Sequence, residues 1–136
     1  MKIILLAFFI ITTLCASDDK KASTIFNLIA KNITKKTAPN IYLHKYNKSI
    51  KKYPGNLNIV TKCEEADLVI LSTTKDIPQE CSKKILFGTR YSHLKNSNVL
   101  GAFFWQKGRP NILFYQERLK REKIKLSPSF DKYIEP

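Results

Sequence analysis

The residues able to do chemistry are few and scattered. The two histidines, His44 and His93, lie far apart, and neither has a carboxylate beside it in the chain. General acid-base work needs such a group held within hydrogen-bond reach of a proton to be moved, so each histidine reads as a surface or capping residue. Asp67, Asp76 and Glu80 fall around one apolar run, Leu68 to Leu71, and the loop after it. Ligands of α/β proteins often bind just beyond strand ends, which makes Asp76 a candidate binding residue. Solvation of a loop explains the same carboxylates equally well. No glycine-rich phosphate loop, serine elbow or zinc-binding helix motif is present. Two cysteines and two distant histidines do not have zinc spacing. The chain therefore reads as a non-enzyme, with no metal and no cofactor expected.

Cysteine chemistry depends on the compartment. Met1-Lys2 is a short positive start, Ile3 to Leu14 is an apolar run broken only by Thr12 and Thr13, and Ser17-Asp18-Asp19-Lys20-Lys21 is abruptly polar. Charged, apolar and small-residue regions in that order mark a secretory signal peptide, with cleavage expected after Ala16 or Ser17. The run is well short of the ~20 residues that span a bilayer, so no transmembrane segment is expected after cleavage. Residues 1–16 are thus expected to be a signal peptide and 17–136 the working domain. Cys15 leaves with the signal, and Cys63 and Cys81 remain. In an oxidising compartment the two are a disulfide candidate, worth about 3 kcal/mol on chain entropy for a loop of this length; the alternative is a pair of buried thiols.

The chain carries 24 Lys and Arg against 11 Asp and Glu, a net charge of +13. Such a surface favours anionic partners in general. Arg, the residue suited to forked phosphate contacts, occurs only at Arg90, Arg109, Arg118 and Arg121. Lys, Ile and Asn abound together, a bias that composition alone accounts for, and no nucleic-acid partner is expected.

The elements that must position these residues follow from periodicity. Ala22, Ile25, Phe26, Ile29 and Ile33 recur at helical spacing, predicting an amphipathic helix from Lys20 to Ala38 that Pro39 stops. Such a helix either covers a sheet or lies on a membrane; sheet cover is the expectation. Strands are expected at Ile41–Tyr46, Leu57–Thr61, Leu68–Leu71 and Ile85–Phe87. The third is apolar at consecutive positions, so both of its faces should be covered. Val99–Gln106 and Asn111–Tyr115 flank Lys107-Gly108-Arg109-Pro110 and read as a β-hairpin. Alternation puts Phe103 and Trp105 on one face and Ala102 and Phe104 on the other. Trp105, with Lys107 and Arg109 beside it, is a candidate partner- or ligand-binding group, although a core role for Trp105 is the first expectation. A short helix is expected at Gln116–Lys123, with Glu117 and Arg121 at the favourable four-residue spacing. A last helix should open at Ser127-Pro128. Together these predict one three-layer α/β domain with a mixed sheet of about five strands and helices on both faces.

Four stretches resemble the YfiR-like family of periplasmic regulatory proteins. Ala22-Ser23-Thr24-Ile25-Phe26-Asn27-Leu28 is similar to the family's first helix, and Ala66-Asp67-Leu68-Val69-Ile70-Leu71-Ser72 to its central strand ending in serine. Gly101 to Gln116 looks like its late hairpin, and Ile124-Lys125-Leu126-Ser127 like its step into the last helix. Ala38-Pro39 stands where the family has Trp-Pro, its Gly-Asp before the hairpin is absent, and the family's cysteines do not align clearly with Cys63 and Cys81. The resemblance implies an exported regulator that binds the outer domain of an inner-membrane signalling protein, typically a diguanylate cyclase. It would act by preferring one state of that receptor. The alternative is a periplasmic protein binding a small ligand or an envelope component without catalysis. Receptor, signal and oligomeric state are left open, a homodimer included.

Overall fold

The computed structural model describes residues 2–136, with side chains from Asp18 onward. The side chains of the expected signal peptide, residues 1–16, lie outside the described residues. A helix, α1, runs Lys2–Thr34. Ala22, Phe26, Ile29, Ala30 and Ile33 form its buried stripe, the three- and four-residue spacing of one helix face. It ends short of Pro39. Thr34 Oγ1 donates to Ala30 O at 2.8 Å, and Lys35 turns left-handed at φ 60°, the backbone conformation that commonly closes a helix.

The strands are β1 (Asn40–His44), β2 (Asn58–Val60), β3 (Leu68–Leu71), β4 (Leu86–Gly88), β5 (Val99–Gln106), β6 (Arg109–Tyr115) and β7 (Ile134–Glu135). They form one sheet in the order β2-β1-β3-β4-β5-β6-β7. β1 to β5 pair in parallel, β6 returns antiparallel to β5, and β7 lies parallel to β6. The sheet is mixed, as expected, but has seven strands where about five were expected. β7 is two residues long and carries no alternation for a sequence reading to find.

Both faces of the sheet are covered, by different kinds of element. On one face α1 packs with Ile50 of α2 (Lys48–Lys52) and Leu119 of α3 (Gln116–Arg121) against Ile41, Leu68, Ile70, Phe87, Phe103 and Phe114. On the other, three 3-10 turns at Cys63–Glu65, Gln79–Cys81 and Tyr91–Lys95 supply Cys63, Cys81 and Leu94 against Val69, Leu71, Leu86, Val99 and Ala102. The Cys63–Cys81 disulfide links two of these turns, with Cα atoms 5.4 Å apart. Arg118 ties the third to α3, donating to Leu94 O at 2.9 Å and Val99 O at 2.8 Å. All four residues of β3 are buried, as its unbroken apolar run predicts.

The β4–β5 pairing shifts by one residue, Leu86 opposite Val99 but Phe87 opposite Gly101. The extra residue is a β-bulge. It lets Val99 and Ala102 share a face while Phe103 turns to the other. A Cβ at Gly101 would sit 2.6 Å from Leu113 O, so the bulge needs glycine where β6 comes closest.

Two expected details differ. Arg121 pairs with its neighbour Glu122 at 2.9 Å and donates to Ser97 O at 2.8 Å, leaving no Glu117 pair, because an acceptor lies nearer. The last helix is a 3-10 turn, Pro128–Tyr133, whose Ser127 makes no side-chain cap. The Ser127 hydroxyl bonds to that of Ser129 at 2.9 Å instead.

Candidate functional site

Parallel pairing brings the C-terminal ends of β1, β3, β4 and β5 to one edge of the sheet, and the candidate site is there. In a 2-1-3-4-5 parallel order, the crevice beyond the carboxyl ends is where ligands commonly bind. The edge is stitched by hydrogen bonds across the strands. Ser72 N donates to His44 O at 3.0 Å, Ser72 Oγ to Tyr46 O at 2.8 Å and Thr89 Oγ1 to Leu71 O at 2.7 Å.

Both histidines are buried, with 3% of His44 and 4% of His93 accessible, which corrects the expectation of surface residues. His44 Nε2 lies 2.7 Å from Lys75 O; a carbonyl only accepts, so Nε2 carries the proton. His93 Nδ1 accepts from Thr89 N at 3.0 Å, which leaves its proton on Nε2, the same tautomer as His44, and makes His93 a capping group. A Cβ at Gly88 would stand 2.7 Å from His93 Cβ, so glycine at the end of β4 is what admits the ring. Burial, and then the charge of Arg90, hold the His93 pKa below its ordinary value. The ring fixes the β4 loop in place and presents no free lone pair for catalysis.

Two depressions open on this edge and share Thr89, Arg90 and Trp105. The larger, about 760 Å³, runs along the β5–β6 hairpin and is lined by Tyr91, Phe104, Leu113 and Lys132 among others. The smaller, about 290 Å³, lies toward α1 and is lined by Tyr46, Lys48, Ser72 and Phe103 among others. Three exposed aromatics stand around them: Tyr46 at 70% accessibility, Tyr91 at 60% and Trp105 at 43%. Trp105 is thus not a core residue. β5 continues past its cover, so that Phe103 is buried while Trp105, against it at 5.9 Å between centroids, faces solvent.

Lys107 and Arg109 are exposed at the hairpin turn beyond Trp105. Lys107 (φ 52°) and Gly108 (φ 75°) are both left-handed, the conformation that suits a two-residue hairpin turn. Asp76 is exposed in the loop after β3 and lines neither depression. Asp67 lies at the opposite edge, at the start of β3, accepting from Asn40 N at 2.8 Å and Lys36 Nζ at 2.7 Å. Partial burial works to raise its pKa, but the Lys36 and Asn40 hydrogen bonds and the Lys36 and Lys84 charges outweigh it and hold the carboxyl below its ordinary range. Asp67 is therefore structural, and the acidic residues around β3 do not converge. Among the described residues no group of three His, Cys, Asp or Glu side chains could hold a metal.

The sequence reading missed Tyr46, Arg90 and Tyr91. The available signal was positional. Each lies two or three residues past the end of a parallel strand, His44 of β1 or Gly88 of β4, so all emerge at the same edge as Trp105. What the edge offers is binding: large rigid aromatics with a guanidinium among them, the residue types that dominate protein contacts.

No protein-family model matches the chain, and comparison with curated proteins and with solved structures finds no match either. Among the described residues no helix is long and apolar enough to cross a membrane.

Proposed function

We propose that the protein is an exported regulatory binding protein that contacts the outer domain of an inner-membrane signalling protein, a diguanylate cyclase or sensor, in the periplasm. Residues 1–16 act as a cleavable signal in this reading, and the Cys63–Cys81 disulfide suits an oxidising compartment. The observation that carries it is the cluster of Tyr46, Tyr91 and Trp105 around Arg90 at the open edge of the sheet. Exposed aromatics grouped with an arginine are the composition of an interface centre. The resemblance to periplasmic regulators supplies the class of partner. Regulation follows if the edge binds one receptor state better than the other, since only differential affinity moves an equilibrium.

The test is crosslinking and pull-down from membranes with the mature protein and with Trp105→Ala. Recovery of one membrane signalling protein by the parent and not by the variant is expected. Recovery of the same set by both would remove this edge from the function.

A second reading rests on the smaller depression, whose hydroxyls and aromatics at the ends of β1, β3 and β4 would suit a small envelope ligand. A ligand held there raises the thermal midpoint by mass action, so a thermal-shift screen with peptidoglycan fragments and haem separates the two.

A further inference from the structure

The cleft along the β5–β6 hairpin carries information about the chemistry of its occupant. Its floor is apolar, with Phe104 from β5 and Leu113 from β6, and Tyr91 stands edge-on to Phe104 with centroids 5.6 Å apart. Its rim carries two cations, Arg90 and Lys132, and one acid, Glu135. The ion pairs among the described residues are Lys36–Asp67, Lys48–Asp19 and Arg121–Glu122, so neither rim cation is neutralised by a carboxylate. Lys132 lies over the ring of its neighbour Tyr133 at 5.3 Å, a contact that keeps its charge. Beyond the rim the hairpin turn adds Lys107 and Arg109, both exposed. The volume of about 760 Å³ exceeds what a simple anion fills and lies within the ~300–1,000 Å³ range of pockets that enclose larger ligands.

We propose that this cleft binds an acidic peptide segment of the partner, with apolar side chains laid over Phe104 and Trp105 and carboxylates against Arg90 and Lys132. The inference rests on the reading of the protein as a protein-binding regulator and specifies what that partner presents. A segment carrying both apolar and acidic residues matches apolar Phe104 and Leu113 beneath a rim with Arg90 and Lys132. A nucleic-acid strand fits less well, because it brings a phosphate with every nucleotide to a cleft whose rim holds two cations and a carboxylate. A bilayer surface cannot enter a cleft.

Trp105 is the only tryptophan in the chain, so its emission reports on this cleft directly. The probe is the amidated peptide Asp-Phe-Glu-Asp-Phe-Glu-Asp, titrated into the purified protein. A saturable change in emission is expected. It should weaken about tenfold or more as salt rises from about 0.05 to about 0.5 M, since exposed charge pairs are screened. The Arg90→Glu, Lys132→Glu double variant should lose about tenfold or more in affinity with its thermal midpoint unchanged, because both side chains are exposed. An equal response to the peptide with Lys at every acidic position would overturn the proposal. So would no response at about 1 mM peptide, or stronger binding by a thymidine oligonucleotide or phosphatidylglycerol vesicles. If the peptide fails while the membrane pull-down still depends on Trp105, this inference alone falls; if both fail, the protein-binding reading falls with it.

Discussion

The two faces of the sheet are closed in different ways. One is sealed by the α1 stripe of Ala22, Phe26, Ile29, Ala30 and Ile33, whose residues are neighbours in sequence and bury together as one helix forms. The other is sealed by three short 3-10 turns spread from Cys63 to Lys95, joined by a disulfide and by one arginine. A 3-10 turn of three to five residues has too few hydrogen bonds to hold itself. The second face therefore depends on cross-links where the first depends on buried area, and each should fail in its own way.

The largest loss is expected on the helical face. Phe26 is buried and meets Phe103 edge-on at 5.0 Å between centroids. Phe26→Ala should cost about 3–5 kcal/mol, the usual range for removing a buried aromatic, read as a lower urea midpoint with little change in slope. A loss under about 1 kcal/mol would mean that α1 is a minor part of the core.

Next comes the disulfide. Replacing Cys63 and Cys81 together by Ser should cost about 3 kcal/mol on the chain-entropy account. Both cysteines are buried, at 4% and 0%, so a reductant should not open the bond until the protein unfolds. Labelling in reductant should follow the unfolding rate. Rapid labelling of the folded protein would instead make the cross-link a switch, and would tie the protein's shape to redox state.

Arg118 is the second fastener of that face. Its guanidinium donates to the carbonyls of Leu94, Asn96 and Val99 and stacks on Tyr115 at 4.7 Å. Arg118→Met keeps the stem and removes the donors, which should cost about 1.5–3 kcal/mol for hydrogen bonds from a charged group. Faster amide exchange should be confined to residues 91–99. Faster exchange in α1 as well would mean that the two faces unfold as one unit.

The same contrast decides what could be read from the sequence. α1, β3 and the hairpin were legible because each repeats its pattern over consecutive residues: Phe26, Ile29 and Ile33 at helical spacing, Leu68 to Leu71 without a break, Ala102 to Trp105 alternating. The 3-10 turns were not, because three residues are too few to show a period, and β7 is shorter still. The bulge in β5 was hidden because it concerns the register with β4, a long-range pairing. At the candidate site, Trp105, Lys107 and Arg109 were found from the hairpin, and the exposure of Trp105 was not, since local alternation gives the face of a residue and not where its cover ends. Arg90 and Tyr91 carry no motif; only the parallel order of β1 to β5 brings them beside Trp105.

The smallest effect expected is also the most selective. Both buried histidines belong to the second face and its loops, and the buried side chains described in α1 include no ionisable group. Burial, followed by the Arg90 charge, lowers the His93 pKa from its ordinary value of 6.5. A group depressed in the folded state adds stability that is fully present above its unfolded pKa and is lost as pH falls through the folded one. Protonation at Nδ1 would also remove the acceptor of Thr89 N–H, beside Arg90 in the candidate site. Lowering the pH below about 6.5 should therefore reduce the protection of Thr89 N–H, taken relative to its intrinsic exchange rate, before it affects α1. His93→Gln, which keeps a side-chain acceptor and does not titrate, should flatten that dependence. If acid instead loosened α1 first, or if His93→Gln kept the full pH dependence, the titrating group would lie elsewhere and the link between the 3-10 face and the candidate site would be broken.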